Sequence, residues 1–408
     1  MKQRRSWLFK PAVWVSAVGI ALIASACSDT AETTTTNGAP SQTDPPTATT
    51  ETLAATETWT EQHLWFTVGS DELHGILTLP NSDGPHPAVV MPFKSPSTGG
   101  GLPLGVSSTY QTDLARRLAD AGYAAFRYDP TGVGGSEGEA GFQSLQERGD
   151  ETIAALHGVQ EHPAIRADEV GLWGISQEAW VISIAAAEHP DDVAFMISVS
   201  GSGVSVAEQQ VWGIETQSRA AGLEPDDVQR ATLFGRLVVD WQLTDPLFRD
   251  VNQQAAESLG NGPWHDFLAL VYETDTINSA EGLSRAIEIL TSIQDEPWAA
   301  SLYLRDVIIP ALQGIPPDQI EAVRASAEQS LLLDPRDHLT KVQSPVLAFF
   351  GEEDIVQPSE KSAALYAQYL EEARNGDVTI VILDNVGHDI LLSTPSYWEQ
   401  LVEWLDNL

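Results

Sequence analysis

The strongest constraint on this chain is a hydrophobic rhythm that switches back and forth along it. Short apolar runs alternate with helix-spaced segments on both sides of a long stretch that carries helical patterns alone. Ala88-Val89-Val90-Met91 is an uninterrupted apolar run of the kind that fills a parallel strand covered on both faces. Thr109 to Ala121 then has helical spacing, Tyr123 to Tyr128 reads as a strand and Gln143 to Gln160 as a helix. Val170 to Ile175, Ala179 to Glu188 and Phe195 to Ser200 continue the alternation as strand, helix and strand. Crossovers between parallel strands are right-handed and put helices on both faces, so this order predicts an α/β fold with a doubly wound, mostly parallel sheet. Ahead of it, His63 to Val68 and Glu72 to Leu79 predict a strand pair turning at Gly69-Ser70-Asp71.

Strand signals stop after Val204. Val206 to Ala220, Asp226 to Gln242, Leu283 to Ile293, Ala299 to Gln313 and Gln319 to Leu332 are all helical in spacing. The alternation returns with strand Pro345 to Phe350, helix Ser359 to Ala373, strand Val378 to Leu383 and helix Tyr397 to Leu405. The chain thus divides into a sheet domain at 61–203 and 341–408, interrupted by an inserted helical cap at 204–340. With 408 residues, 42% of them hydrophobic, it can bury a large core.

The first 60 residues follow other rules. Lys2, Arg4, Arg5 and Lys10 precede a mostly apolar run from Pro11 to Ile23, and Ala24-Ser25-Ala26 offers a small-residue cleavage site before Cys27. The pattern resembles a bacterial lipoprotein signal: residues 1–26 would be removed and the Cys27 thiol lipidated. That implies an exported protein held at the cell membrane by its lipid. The paired arginines leave the export route open between the general and twin-arginine pathways. The segment 27–60 is rich in Thr and poor in large apolar residues, so it cannot offset its ordering entropy and reads as a tether.

The chemistry is carried by Leu172-Trp173-Gly174-Ile175-Ser176-Gln177-Glu178-Ala179, a strand that turns sharply into a helix with Ser at the apex. A serine hydroxyl needs a base within hydrogen-bond reach to act as a nucleophile near neutral pH. His388 follows the last predicted strand, and Asp354 follows the strand before it in Phe350-Gly351-Glu352-Glu353-Asp354. All three sit at the carboxyl ends of predicted parallel strands, where sheets of this class place their sites. Ser176 is read as nucleophile, His388 as base and Asp354 as the acid orienting it. Asp129 precedes the nucleophile in a glycine loop, where a carboxylate ties down backbone N–H groups. Asp384 and Asp389 flank the histidine too closely to fold back onto it. His338 is read as a surface or hinge residue, and His265 as a packing residue of the cap that could also line the cleft.

Arg127-Tyr128-Asp129-Pro130-Thr131-Gly132-Val133-Gly134-Gly135-Ser136, with the strand pair leading to Gly75-Ile76-Leu77-Thr78-Leu79-Pro80, resembles the capped α/β-hydrolases of the serine-aminopeptidase-like and esterase branches. The likeness covers about Leu64 to Gly201 and Ser344 to Leu408. It implies a serine hydrolase whose oxyanion hole takes one N–H from Gln177 and another from near Lys94 or Ser95. Two positions depart from the family. Glu178 stands where a very small residue is usual, and its side chain is expected to rotate outward, the alternative being an extra carboxylate beside the base. Pro92-Phe93-Lys94-Ser95-Pro96 stands where His-Gly is common.

Fifty-eight acidic residues against 21 basic ones give a net charge of −37, which repels phosphate backbones and excludes nucleic acid as a partner. The single cysteine forbids an intrachain disulfide, and without Cys pairs or a His-x-x-x-His spacing no metal is expected. No cofactor is implied. The reading is hydrolysis of small carboxylic esters through an acyl-serine. An exported peptidase or amidase acting on short peptides is the enzymatic alternative, and a non-catalytic binding protein on the same fold is the other.

Overall fold

A computed structural model describes residues 57–92, 105–139, 143–274, 276–390 and 394–408 of the chain. The segment 1–56, with Cys27 and most of the tether, lies outside the described residues. Eight strands form one sheet: β1 (Trp59–Val68), β2 (Asp71–Pro80), β3 (His86–Met91), β4 (Ala124–Tyr128), β5 (Ile165–Ile175), β6 (Met196–Val199), β7 (Val346–Gly351) and β8 (Val378–Leu383). Their spatial order is β1-β2-β4-β3-β5-β6-β7-β8. β1, β2 and β4 pair antiparallel, and every pairing from β4 through β3 to β8 is parallel.

Helices α1 (Thr109–Asp120), α2 (Leu145–Gln160) and α3 (Gln177–Glu188) belong to the first half of the sheet domain. Between β6 and β7 come α4 (Val206–Ala220), α5 (Pro225–Trp241), α6 (Arg249–Leu259), α7 (Trp264–Tyr272), α8 (Ala280–Ile293), α9 (Ile309–Gln313), α10 (Ile320–Leu331) and α11 (Arg336–Leu339). The second half adds α12 (Ser359–Glu372) and α13 (Pro395–Leu405). Among the described residues no helix is long and apolar enough to cross a membrane.

The pleat of each central strand sorts neighbouring side chains to opposite faces. Val90, Ala348 and Phe350 pack with Leu156 of α2 and Leu370 of α12 on one side of the sheet. Val89, Leu347 and Phe349 pack with Leu118 of α1 and Leu401 of α13 on the other. Both faces being covered explains why β3 and β7 are buried throughout and read as unbroken apolar runs. The inserted helices build a separate core around Phe234, Leu237, Phe267, Leu290 and Trp298. α3 joins the two regions: Ile182 and Ala185 enter the sheet core, whereas Trp180, Val181 and Ile184 meet Val206 and Val211 of α4. A helix apolar on every side is a buried one, and α3 is buried from Gln177 to Ala187.

Three inserted helices, α6, α7 and the four-residue α11, fall outside the segments expected to be helical. α6 buries only Asn252, Ala255 and Ala256, so it carries little apolar periodicity. The helix expected over Ala299 to Gln313 is broken instead into a 3₁₀ segment (Pro297–Leu302), a π turn (Leu304–Ile308) and α9. Tyr303, at φ 50°, separates the first two. Pro310 has no N–H to return to the preceding turn, which a continuous α-helix would require.

Candidate active site

β5 delivers its last residues into a turn too tight for most side chains. A Cβ on Gly174 would stand 2.6 Å from the Glu178 carbonyl oxygen. Ser176 caps α3 with φ 57° and ψ −116°, a strained backbone for an L-residue that lifts its side chain out of the chain's path. Its N–H is anchored on the Val199 carbonyl of the neighbouring strand at 2.8 Å.

His388 reaches this hydroxyl from the loop after β8. Its Nε2 lies 2.9 Å from Ser176 Oγ, and its Nδ1 lies 2.8 Å from Asp354 Oδ2. Asp354 and His388 are 6% and 7% exposed, so solvent competes little for either contact, while Ser176 stays partly accessible. The other oxygen of Asp354 accepts from the N–H groups of Val356 at 2.7 Å and Gln357 at 3.0 Å, which fixes the carboxylate plane. Ser200 Oγ donates to the His388 carbonyl at 2.7 Å and holds the histidine loop from below. The loops after β7 and β8 meet because Gly351 has no side chain: a Cβ there would lie 2.2 Å from the Gly387 carbonyl oxygen. The structure therefore gathers Ser176, His388 and Asp354, from three strand ends, into one hydrogen-bonded row.

Gln177 is the first residue of α3, so its N–H has no acceptor within the helix. Lys94 and Ser95, expected near the second oxyanion donor, lie outside the described residues.

Glu178 does not rotate outward as expected. It is 2% exposed, and its Oε1 lies 3.4 Å from Nη2 of Arg148 on α2. The same guanidinium donates from Nη1 to the Gln177 side-chain oxygen at 2.7 Å. α3 is enclosed on every side, so its N-terminus offers no outward direction, and α2 supplies a buried cation instead. Sequence reasoning missed Arg148 because nothing in a helix pattern separates an arginine turned inward from one in water.

Asp129 holds the glycine loop together. Its carboxylate accepts from the N–H groups of Val106 and Gly135, both at 3.0 Å, and lies 3.1 Å from His74 Nδ1. Cβ atoms on Gly105 or Gly134 would collide with it, and both glycines have positive φ, which accounts for the glycine spacing of the motif. Asp384 and Asp389 are exposed. His265 is exposed on the inserted helices with Nε2 3.1 Å from the Gly260 carbonyl, and His338 is partly buried, which lowers its pKa.

A cavity of about 620 Å³ lies where the inserted helices meet the loop after β7. Trp212, Phe248 and Val251 give it apolar walls, and Glu215, Arg236 and Glu352 charged ones.

An eight-stranded, mostly parallel sheet with flanking helices and a Ser-His-Asp row at its carboxyl edge defines an α/β-hydrolase of the serine type. The family model described as serine aminopeptidase, S33, matches residues 105–394, and the chain belongs to that family. No curated protein gives a significant sequence match. Similar solved structures include the alpha/beta hydrolase GrgF from Penicillium sp. sh18, at 19% identity and a TM-score of 0.48 over 85% of this chain and 98% of that one. The proline iminopeptidase of Mycobacterium smegmatis gives 16% identity and a TM-score of 0.47 over 85% of this chain and 98% of that one. An esterase of Pyrococcus furiosus gives 10% and 0.47 over 91% of this chain and 99% of that one.

Proposed function

We propose that this serine hydrolase cleaves small carboxylic esters through an acyl-Ser176 intermediate. The observation that carries the reading is the row Ser176 Oγ, His388 Nε2, His388 Nδ1, Asp354 Oδ2, with contacts of 2.9 and 2.8 Å. In the first half-reaction His388 takes the Ser176 proton as Oγ bonds to the ester carbonyl carbon. The resulting oxyanion is met by the Gln177 N–H at the start of α3, and the imidazolium is stabilised by Asp354. Collapse of the intermediate breaks the bond to the alcohol oxygen, which leaves with the proton from His388. Water, deprotonated by the same imidazole, then attacks the acyl carbon and frees the acid and the serine.

The test is labelling by a fluorophosphonate probe followed by peptide mapping. Modification at Ser176, abolished in Ser176→Ala, is expected; folded protein that takes no label would sink the proposal.

A second reading is hydrolysis of short peptides or amides that bear a free amine. It is favoured by the match of residues 105–394 to the serine aminopeptidase family model. Comparing nitrophenyl esters with aminoacyl amides separates the two readings by their ratio of kcat/KM. The signal-like segment before Cys27 supports export and lipid anchoring. Metabolic labelling with a fatty acid, lost in Cys27→Ser, checks that part.

A further inference from the structure

At the opposite end of α3 from Ser176, the ends of two helices bring two imidazoles and a carboxylate together. His157 stands in the last turn of α2, and His189 is the residue that closes α3. Asp192 follows three residues later, in the loop that enters β6. His157 Nε2 lies 3.0 Å, and His189 Nδ1 3.3 Å, from the same oxygen, Asp192 Oδ2. Among the described residues this is the one group whose three potential ligand atoms all fall within 4.8 Å of each other.

We propose that His157, His189 and Asp192 form a binding site for a divalent transition metal ion of the zinc class. Two imidazoles and one carboxylate are a ligand set that suits zinc and its neighbours and does not suit magnesium, which prefers oxygen. In a tetrahedral site with bonds of about 2.0–2.1 Å, ligand atoms are separated by about 3.3 Å. Two of the three separations here already match that length. The third, between the two imidazole nitrogens, is within 4.8 Å, and the two rings already meet edge-on with centroids 6.1 Å apart.

Three further features favour a cation at this place. His157 lies in the last turn of α2 and His189 at the C-cap of α3, where the helix dipole is negative. Asp192 already presents a single carboxylate oxygen to both imidazoles. Its backbone is also fixed in advance: Gln160 Nε2 donates to the Asp192 carbonyl at 3.0 Å, and the Asp192 N–H donates to the His189 carbonyl at 3.1 Å. The exposed side of the cluster leaves room for water or another donor in the fourth position.

Bound metal would clip the end of α2 to the loop after α3. The site escapes a motif search because His157 and Asp192 are 35 residues apart.

The test titrates the full chain with Zn²⁺ in calorimetry, with excess Mg²⁺ present to saturate weak binding by the acidic surface. One equivalent is expected, with a rise in Tm on loading. His157→Asn, His189→Asn and Asp192→Asn should each weaken binding roughly tenfold or more and remove the Tm response while circular dichroism stays unchanged. Co²⁺ loading should give the intense visible absorption of a tetrahedral site. Binding no stronger than the Mg²⁺ background, or undiminished from wild type in all three variants, would show ion pairs alone and overturn the proposal. So would a Co²⁺ spectrum of the hexaaquo type.

Discussion

Arg148 donates a 2.7 Å hydrogen bond to the side chain of Gln177, the residue next to Ser176, and with the same guanidinium faces Glu178 from 3.4 Å. The first turn of α3 is therefore held by a buried charge pair next to Ser176 in sequence rather than by a side-chain helix cap. A carboxylate left in that place without its cation would be costly, since desolvation is no longer offset. Arg148→Met is expected to destabilise the protein by about 3–5 kcal/mol. Arg148→Met combined with Glu178→Leu should recover much of the loss. Urea unfolding of the two single variants and the double variant measures the coupling, and strict additivity would refute it.

Asp354 receives two backbone hydrogen bonds on one oxygen and His388 on the other. In Asp354→Asn the amide can keep the loop but cannot stabilise the imidazolium, and it favours the wrong tautomer. A fall in kcat/KM on the order of 10³–10⁴ is expected, with little change in Tm. Steady-state kinetics on a nitrophenyl ester checks it; a loss under tenfold would remove Asp354 from the proposed mechanism.

Gly351 lets the loops carrying Asp354 and His388 touch. In Gly351→Ala the new methyl would meet backbone oxygens of Gly387 and Val386, 2.2 and 2.4 Å away, and backbone cannot step aside as a side chain can. The two loops should separate by part of an ångström, costing activity on the order of 10²-fold. Kinetics and thermal melting of the same sample are the measurement. A variant as active as wild type would show that the row tolerates misalignment.

Tyr366 is buried between α12 and the sheet, its hydroxyl 3.1 Å from Ser198 Oγ and its ring edge-on to Phe350. Burial raises its pKa from 10.0 to about 12, because the folded state disfavours the phenolate. The folded state thus binds the proton more tightly than the unfolded one. Its contribution, about 3 kcal/mol, is complete below pH 10.0 and is lost as the pH rises through about 12. Burial shifts Tyr128 and Tyr397 in the same direction. Alkaline unfolding should therefore coincide with the appearance of tyrosinate absorbance. Tyr366→Phe should move the midpoint to higher pH, and an unmoved midpoint would remove Tyr366 from the account.

What the sequence determined by itself is whatever depends on local periodicity and chain order. All eight strands were legible because fully covered strands are apolar runs and half-covered ones alternate. Ser176, Asp354 and His388 were legible because each stands directly after such a run. Tertiary structure alone decided the rest. The direction of Glu178, the inward turn of Arg148 and the meeting of His157 with Asp192 depend on which helix lies against which. α6 buries too narrow a stripe, and the region around Tyr303 is too irregular, to announce themselves, whereas Trp264, Phe267, Leu268 and Val271 of α7 do carry helical spacing. A side chain's neighbours across a packed interface leave no trace in the spacing of its own segment, so burial and charge pairing had to be read from the folded chain.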